Sequence, residues 1–89
     1  RPVVIFKHSN RCSISSMAFN RIQAAKASLD AASDFYLIDV VEQRELSLAI
    51  ADKLSVNHES PQVIIIKDGS VVYDASHMNI KPEKVLSYL

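Results

Sequence analysis

Glycine is almost missing from this 89-residue chain: Gly69 stands alone, beside three prolines and no tryptophan. No internal repeat, low-complexity stretch or linker interrupts it. Cysteine is equally scarce. Cys12 is the only one, which excludes an internal disulfide and with it a disulfide-stapled secreted scaffold, and argues for a reducing compartment. Charge of one sign is also lacking, since ten basic and ten acidic residues cancel. No broad basic field is available to hold nucleic acid or an anionic membrane. Long apolar runs are absent too. The longest, Val63-Ile64-Ile65-Ile66, has the length of a buried strand and falls far short of the ~20 residues that span a bilayer. His8, His58 and His77 are scattered without zinc spacing, so no metal site is expected and all three read as structural or surface residues.

What remains is ordinary for a globular protein, 48% hydrophobic and 22% charged, at a length that supports one modest core. Residues 1–89 are read as a single domain. The chain opens at Arg1-Pro2 without a methionine, which leaves room for native residues before it.

Val3-Val4-Ile5-Phe6 is a short branched run, the pattern of a strand buried on both faces. Lys7 to Arg11 is polar and reads as a loop. From Ser13 to about Leu29, Ala18, Ile22, Ala25 and Leu29 recur at helical spacing. Phe35 to Ile38 makes a second strand closing at Asp39. Leu46, Ile50 and Leu54, with Ala49 beside them, form a second amphipathic helix, with Glu42 and Glu45 near its positive end. Asn57 is placed to take its left-handed cap. Ser60-Pro61 introduces a third strand, Gln62 to Lys67. Asp68-Gly69 is a strong hairpin signal, and Ser70 to Tyr73 returns. Pro82 suits the first position of a last helix carrying Val85, Leu86 and Leu89, with Lys81 as a poor N-cap. The order is β-α-β-α-β-β-α. Strands separated by helices imply parallel crossovers, while the terminal hairpin is antiparallel. A four-stranded mixed sheet flanked by helices accounts for every segment, an α/β arrangement of thioredoxin-like type.

Cys12 falls between the first strand and the first helix. Backbone N–H groups at a helix start have no helical partner and stabilise a thiolate there more than a thiol. A fall of about three pKa units, enough to ionise a thiol almost fully at neutrality, needs ~4 kcal/mol. A helix dipole supplies only ~0.3–2 kcal/mol. Direct hydrogen bonds must supply the rest, from the backbone N–H groups of Ile14 and Ser15, the Ser15 hydroxyl and the cationic Arg11. Ser15 stands where a dithiol enzyme carries its second cysteine, and a hydroxyl cannot resolve a mixed disulfide. Cys-Ser-Ile-Ser therefore argues for a one-thiol cycle rescued by an outside thiol. The plainer alternative is a small buried cysteine, which the polar neighbours Arg11, Ser13 and Ser15 disfavour. Ser15 as a mere helix-start residue and Arg11 as a solvated charge stay open.

Most X-Pro bonds are trans. In the inferred fold, however, the loop entering the third strand lies beside the helix start, and a cis Ser60-Pro61 peptide is preferred there. It would turn the Ser60 backbone outward to pair with an extended thiol substrate.

The ordered set Phe6-Lys7-His8-Ser9, Cys12-Ser13-Ile14-Ser15, Glu59-Ser60-Pro61-Gln62-Val63, Lys67-Asp68-Gly69 and Ser76-His77 resembles the bacilliredoxins, monothiol thioredoxin-like proteins of the bacillithiol system. The likeness runs from about Pro2 to Ile80. It implies a cytoplasmic thiol-disulfide oxidoreductase that strips bacillithiol from oxidised protein cysteines. Cys12 would be the attacking thiol, Pro61 the cis-proline, and bacillithiol or a similar thiol the co-substrate, with no tightly bound cofactor. S-thiolated client proteins would be its partners. The family box usually reads Thr-Cys-Pro-Ile-Ser. Here Arg11 replaces threonine and adds positive charge, and Ser13 replaces proline, which loosens the helix entrance and adds an N–H. Two other functions compete: a non-catalytic binding module using the groove beside Pro61, and iron–sulfur carriage of the monothiol-glutaredoxin kind. The near absence of glycine disfavours the second.

Overall fold

The computed structural model describes residues 1–9, 11 and 13–89. Cys12, the centre of the expectations above, and Asn10 lie outside the described residues. The elements are β1 (Val3–His8), α1 (Ser13–Ala24), α2 (Lys26–Ala32), β2 (Asp34–Asp39), α3 (Arg44–Leu54), β3 (Gln62–Lys67), β4 (Ser70–Ser76), a 3-10 turn (His77–Asn79) and α4 (Pro82–Ser87).

The strands form one mixed sheet in the order β2-β1-β3-β4. β1 runs parallel to β2, from Val3 opposite Asp34 to His8 opposite Asp39. β3 is antiparallel to both β1 and β4. That corrects the expected second parallel crossover. β2 ends at Asp39 opposite His8, and β3 begins at Gln62 opposite Lys7. The segment carrying α3 therefore leaves and re-enters the sheet at one end, and the strand it delivers must run the other way.

Strand alternation sorts the core into two layers. On one face Val4, Phe6, Val63, Ile65 and Ala75 meet Ala18 and Ile22 of α1, Leu29 of α2, Ile80, and Val85 of α4. Burying each large side chain of this set contributes roughly 1.5–3 kcal/mol. On the other face Ile5, Ile38 and Ile64 are covered by Ile50 and Leu54 of α3 and by Val56. The hairpin closes through Asp68 at φ 54° and Gly69 at φ 80°, the two positive angles a two-residue type I′ turn demands. Pro82 opens α4, and Lys81 makes no side-chain cap bond.

Several boundaries differ from the expectation. Lys7 and His8 belong to β1 rather than to a loop. The Ser13–Leu29 helix is two helices: at Ala25 the N–H reaches back three residues to the Ile22 carbonyl, 3.1 Å away, and the axis restarts at Lys26. α3 turns Ser47 inward, so Ser47, Ile50 and Leu54 share the sheet-facing side and Leu46 is left 48% exposed. Ser55 rather than Asn57 takes the left-handed cap, at φ 56°.

Candidate functional site

The C-terminal end of β1 gathers the residues of interest. Phe6 and His8 alternate onto the α1 side of the sheet, where the His8 ring stacks on Phe19 with centroids 4.7 Å apart. The loop after β1 is tied to α1 by one side chain. Ser15, fully buried in the first turn of α1, accepts the Ser9 N–H at 2.9 Å and lies 2.8 Å from His8 Nδ1. The Ser9 hydroxyl in turn accepts the Arg11 N–H at 3.3 Å. These bonds join Ser9 and Arg11 to the first turn of α1, whose first residue is Ser13.

Ser13 and Ile14 are exposed at that entrance, Ile14 by 38%. Arg11 is exposed as well. With Asp39, Val41 and Glu42 it walls a recess of about 110 Å³. Asp39 holds its carboxyl below the usual range because it accepts the Glu42 and Val41 N–H groups, with smaller contributions from the charges of His8 and Arg11. Arg11 thus puts a positive charge at the edge of the site, balanced in part by Asp39.

Across β1, the Ser60–Pro61 peptide is cis. Pro61 is buried directly before β3, and its carbonyl accepts the His77 N–H at 3.0 Å, linking this loop to the turn after β4. The Ser60 hydroxyl is buried and has no hydrogen-bond partner among the described residues. Beside this loop an open groove of about 500 Å³ runs along Asn57, Glu59, Gln62, Ser76 and His77. The structure therefore sets Ser15 and His8 at the same end of the sheet as Ser60 and Pro61. The separation of the Cys12 sulfur from that peptide falls outside the described residues.

Beneath α3 a second polar group went unread in the sequence. Lys7 is fully buried. Its Nζ donates to the Ser47 carbonyl at 2.9 Å and lies 3.3 Å from His58 Nδ1. Burial pushes the Lys7 amine down from its ordinary value. His58 is lowered as well, by desolvation first and then by the charges of Lys7 and Arg44, against an opposing pull from Glu59. The signal for His8 and Lys7 was available: Val4, Phe6 and His8 continue one alternation and Ile5 and Lys7 the other, had the strand been extended past its apolar part.

The family model for monothiol bacilliredoxin BrxC matches residues 1–85. The chain belongs to the monothiol bacilliredoxin family. Among solved structures it is similar to a thioredoxin-fold protein proposed to be an oxidoreductase, at 31% identity and TM-score 0.84, covering 97% of this chain and 75% of that one. It is also similar to the thioredoxin of Fasciola hepatica, at 25% identity and TM-score 0.70, covering 99% and 77%. Thioredoxin O2 of Arabidopsis thaliana, at 20% identity and TM-score 0.74 over 99% and 74%, shares the fold. The fold of this bacilliredoxin is that of thioredoxin, and fold and family together support a thiol redox role. None of its described helices is long and apolar enough to cross a membrane.

Proposed function

We propose that the protein is a cytoplasmic monothiol oxidoreductase that removes bacillithiol, or a similar low-molecular-weight thiol, from S-thiolated client proteins. One observation carries the reading: a bacilliredoxin-family chain holds a single cysteine, placed immediately before α1, with a serine three residues on. The Cys12 thiolate attacks the bacillithiol sulfur of the mixed disulfide. A Cys12–bacillithiol disulfide forms, the client disulfide breaks, and the client cysteine leaves as a thiolate that takes a proton from water. A second small thiol, as its thiolate, then attacks the bacillithiol sulfur of the adduct, forming a small-molecule disulfide and releasing Cys12 as a thiolate, because Ser15 offers no second sulfur.

The amides of Ile14 and Ser15 would stabilise the thiolate, and Ser13 and Ile14 would border the incoming disulfide. Ser60 and Pro61 would offer backbone to an extended client segment. Arg11 would attract the carboxylates of the bacillithiol moiety. Incubating reduced protein with a bacillithiolated client should move the thiol onto Cys12, read as an adduct on the intact mass. A Cys12→Ala variant that still clears the client would end the proposal.

A further inference from the structure

We propose that His58 is a pH-sensitive latch: its neutral ring holds the loop before β3 onto the Lys7 amine, and protonation of the ring lets that loop go. The cluster joins three parts of the fold. Lys7 of β1 and Ser47 of α3 are fully buried, and Lys7 Nζ donates to the Ser47 carbonyl at 2.9 Å. His58 comes from the segment between α3 and β3, two residues before Ser60. The residue is exposed, yet its Nδ1 lies 3.3 Å from Lys7 Nζ and 3.4 Å from Ser47 Oγ. An ammonium has three protons and no lone pair, so it can only donate. Nδ1 therefore presents its lone pair, which makes the neutral His58 ring the Nε2–H tautomer.

A proton added to the ring goes onto Nδ1. Two N–H donors of like charge then face each other across 3.3 Å, and no hydrogen bond is left between them. Arg44 of α3 adds to the repulsion, and Glu59 opposes it. Glu59 adjoins His58 in the chain, is half-exposed and lies 3.7 Å from His77, so its pull favours a ring released toward solvent. β3 contributes Gln62, which is uncharged. Its Nε2 donates to the Asn57 carbonyl at 2.8 Å, and the Pro61 carbonyl holds the His77 N–H at 3.0 Å. Neither tie involves a titrating group of the loop. They bracket the latch and confine the release to His58, Glu59 and Ser60. Desolvation and the Lys7 charge keep the folded ring below its ordinary 6.5, so the latch is shut at neutral pH and opens in acid.

The test is backbone amide relaxation of the full chain, followed from about pH 7.5 to about one unit below the midpoint of the His58 ring signal. Order parameters of His58, Glu59 and Ser60 should fall from about 0.85 to below about 0.6 with that same midpoint, while Asn57 and Gln62 hold. His58→Asn offers Lys7 an amide oxygen near the place of Nδ1 without a titrating group, and should abolish the fall. Lys7→Met removes the like charge that expels the ring, and should abolish it too. That variant should also bring the ring's midpoint closer to 6.5. Order parameters that stay level in the parent overturn the proposal, as does a fall that survives either substitution. Should both variants fold poorly, the long-range proton–nitrogen spectrum of the parent decides: the Nε2–H tautomer of His58 at neutral pH is expected, and the Nδ1–H tautomer overturns it. The loop carries Ser60 and Pro61, so on the reading above the latch sets how firmly the client-facing backbone is held. The measurement itself needs neither client nor Cys12. A level profile beside client clearance would sink the latch alone, and a fall without clearance would sink the substrate reading alone.

Discussion

The two faces of the sheet are built differently. The face under α1, α2 and α4 is mostly apolar, with ten buried hydrophobic residues in one cluster and the buried polar Ser15 at its end near the start of α1. The face under α3 buries three, and it also holds Lys7, Ser47 and Gln62 out of water. One face supplies most of the stability. The other carries polar groups next to the loop that delivers Ser60 and Pro61. The cis-proline loop and α1 meet the sheet at the same end, with the larger apolar layer under α1 and the more polar layer on the other face.

The comparison can be broken first by truncation. Ile22→Ala, emptying a fully buried site of the thick layer, should cost about 2–5 kcal/mol in urea unfolding. Ile50→Ala, on the half-buried covering of the thin layer, should cost about 1 kcal/mol by the methylene scale less what exposure already forfeits. Equal costs would erase the distinction.

Lys7→Met asks whether the buried amine stabilises. Its desolvation opposes its bond to Ser47, and that carbonyl lies inside a helix that offers it an N–H of its own. The variant should be between neutral and roughly 1 kcal/mol more stable, as apolar replacements of buried charge often are. A loss of several kcal/mol would make the amine a structural anchor.

The smallest effect should come from His58. Its folded pKa lies below the ordinary 6.5, so the unfolded chain takes up the proton first as pH falls. The stability it contributes is complete above pH 6.5 and is lost as pH drops through the folded value. His58→Asn should flatten the fall in denaturation midpoint between about pH 7 and 5. An unchanged slope would remove His58 from the polar layer.

Local chemistry made much of this legible. The Asp68-Gly69 turn, Pro82 at a helix start and the branched runs of β1 and β3 each state their structure in adjacent residues. The rest depends on tertiary context. A buried lysine at the end of β1 looks like loop until α3 supplies its acceptor. The break at Ala25 has neither glycine nor proline to announce it. Leu46 satisfies helical spacing as well as Ser47 does, and packing against Ile5 and Ile64 selects the other phase. The direction of β3 follows from where α3 re-enters the sheet. At the site, the box from Arg11 to Ser15 could be picked out by residue type, but the bonding of Ser15 to Ser9 and His8 needed coordinates.

The most direct measurement is thiolate absorbance of the reduced protein against pH, with Cys12→Ser subtracted. A bacilliredoxin-type nucleophile should titrate clearly below neutrality, whereas an inflection near the ~8.5 of a free thiol would contradict an activated Cys12.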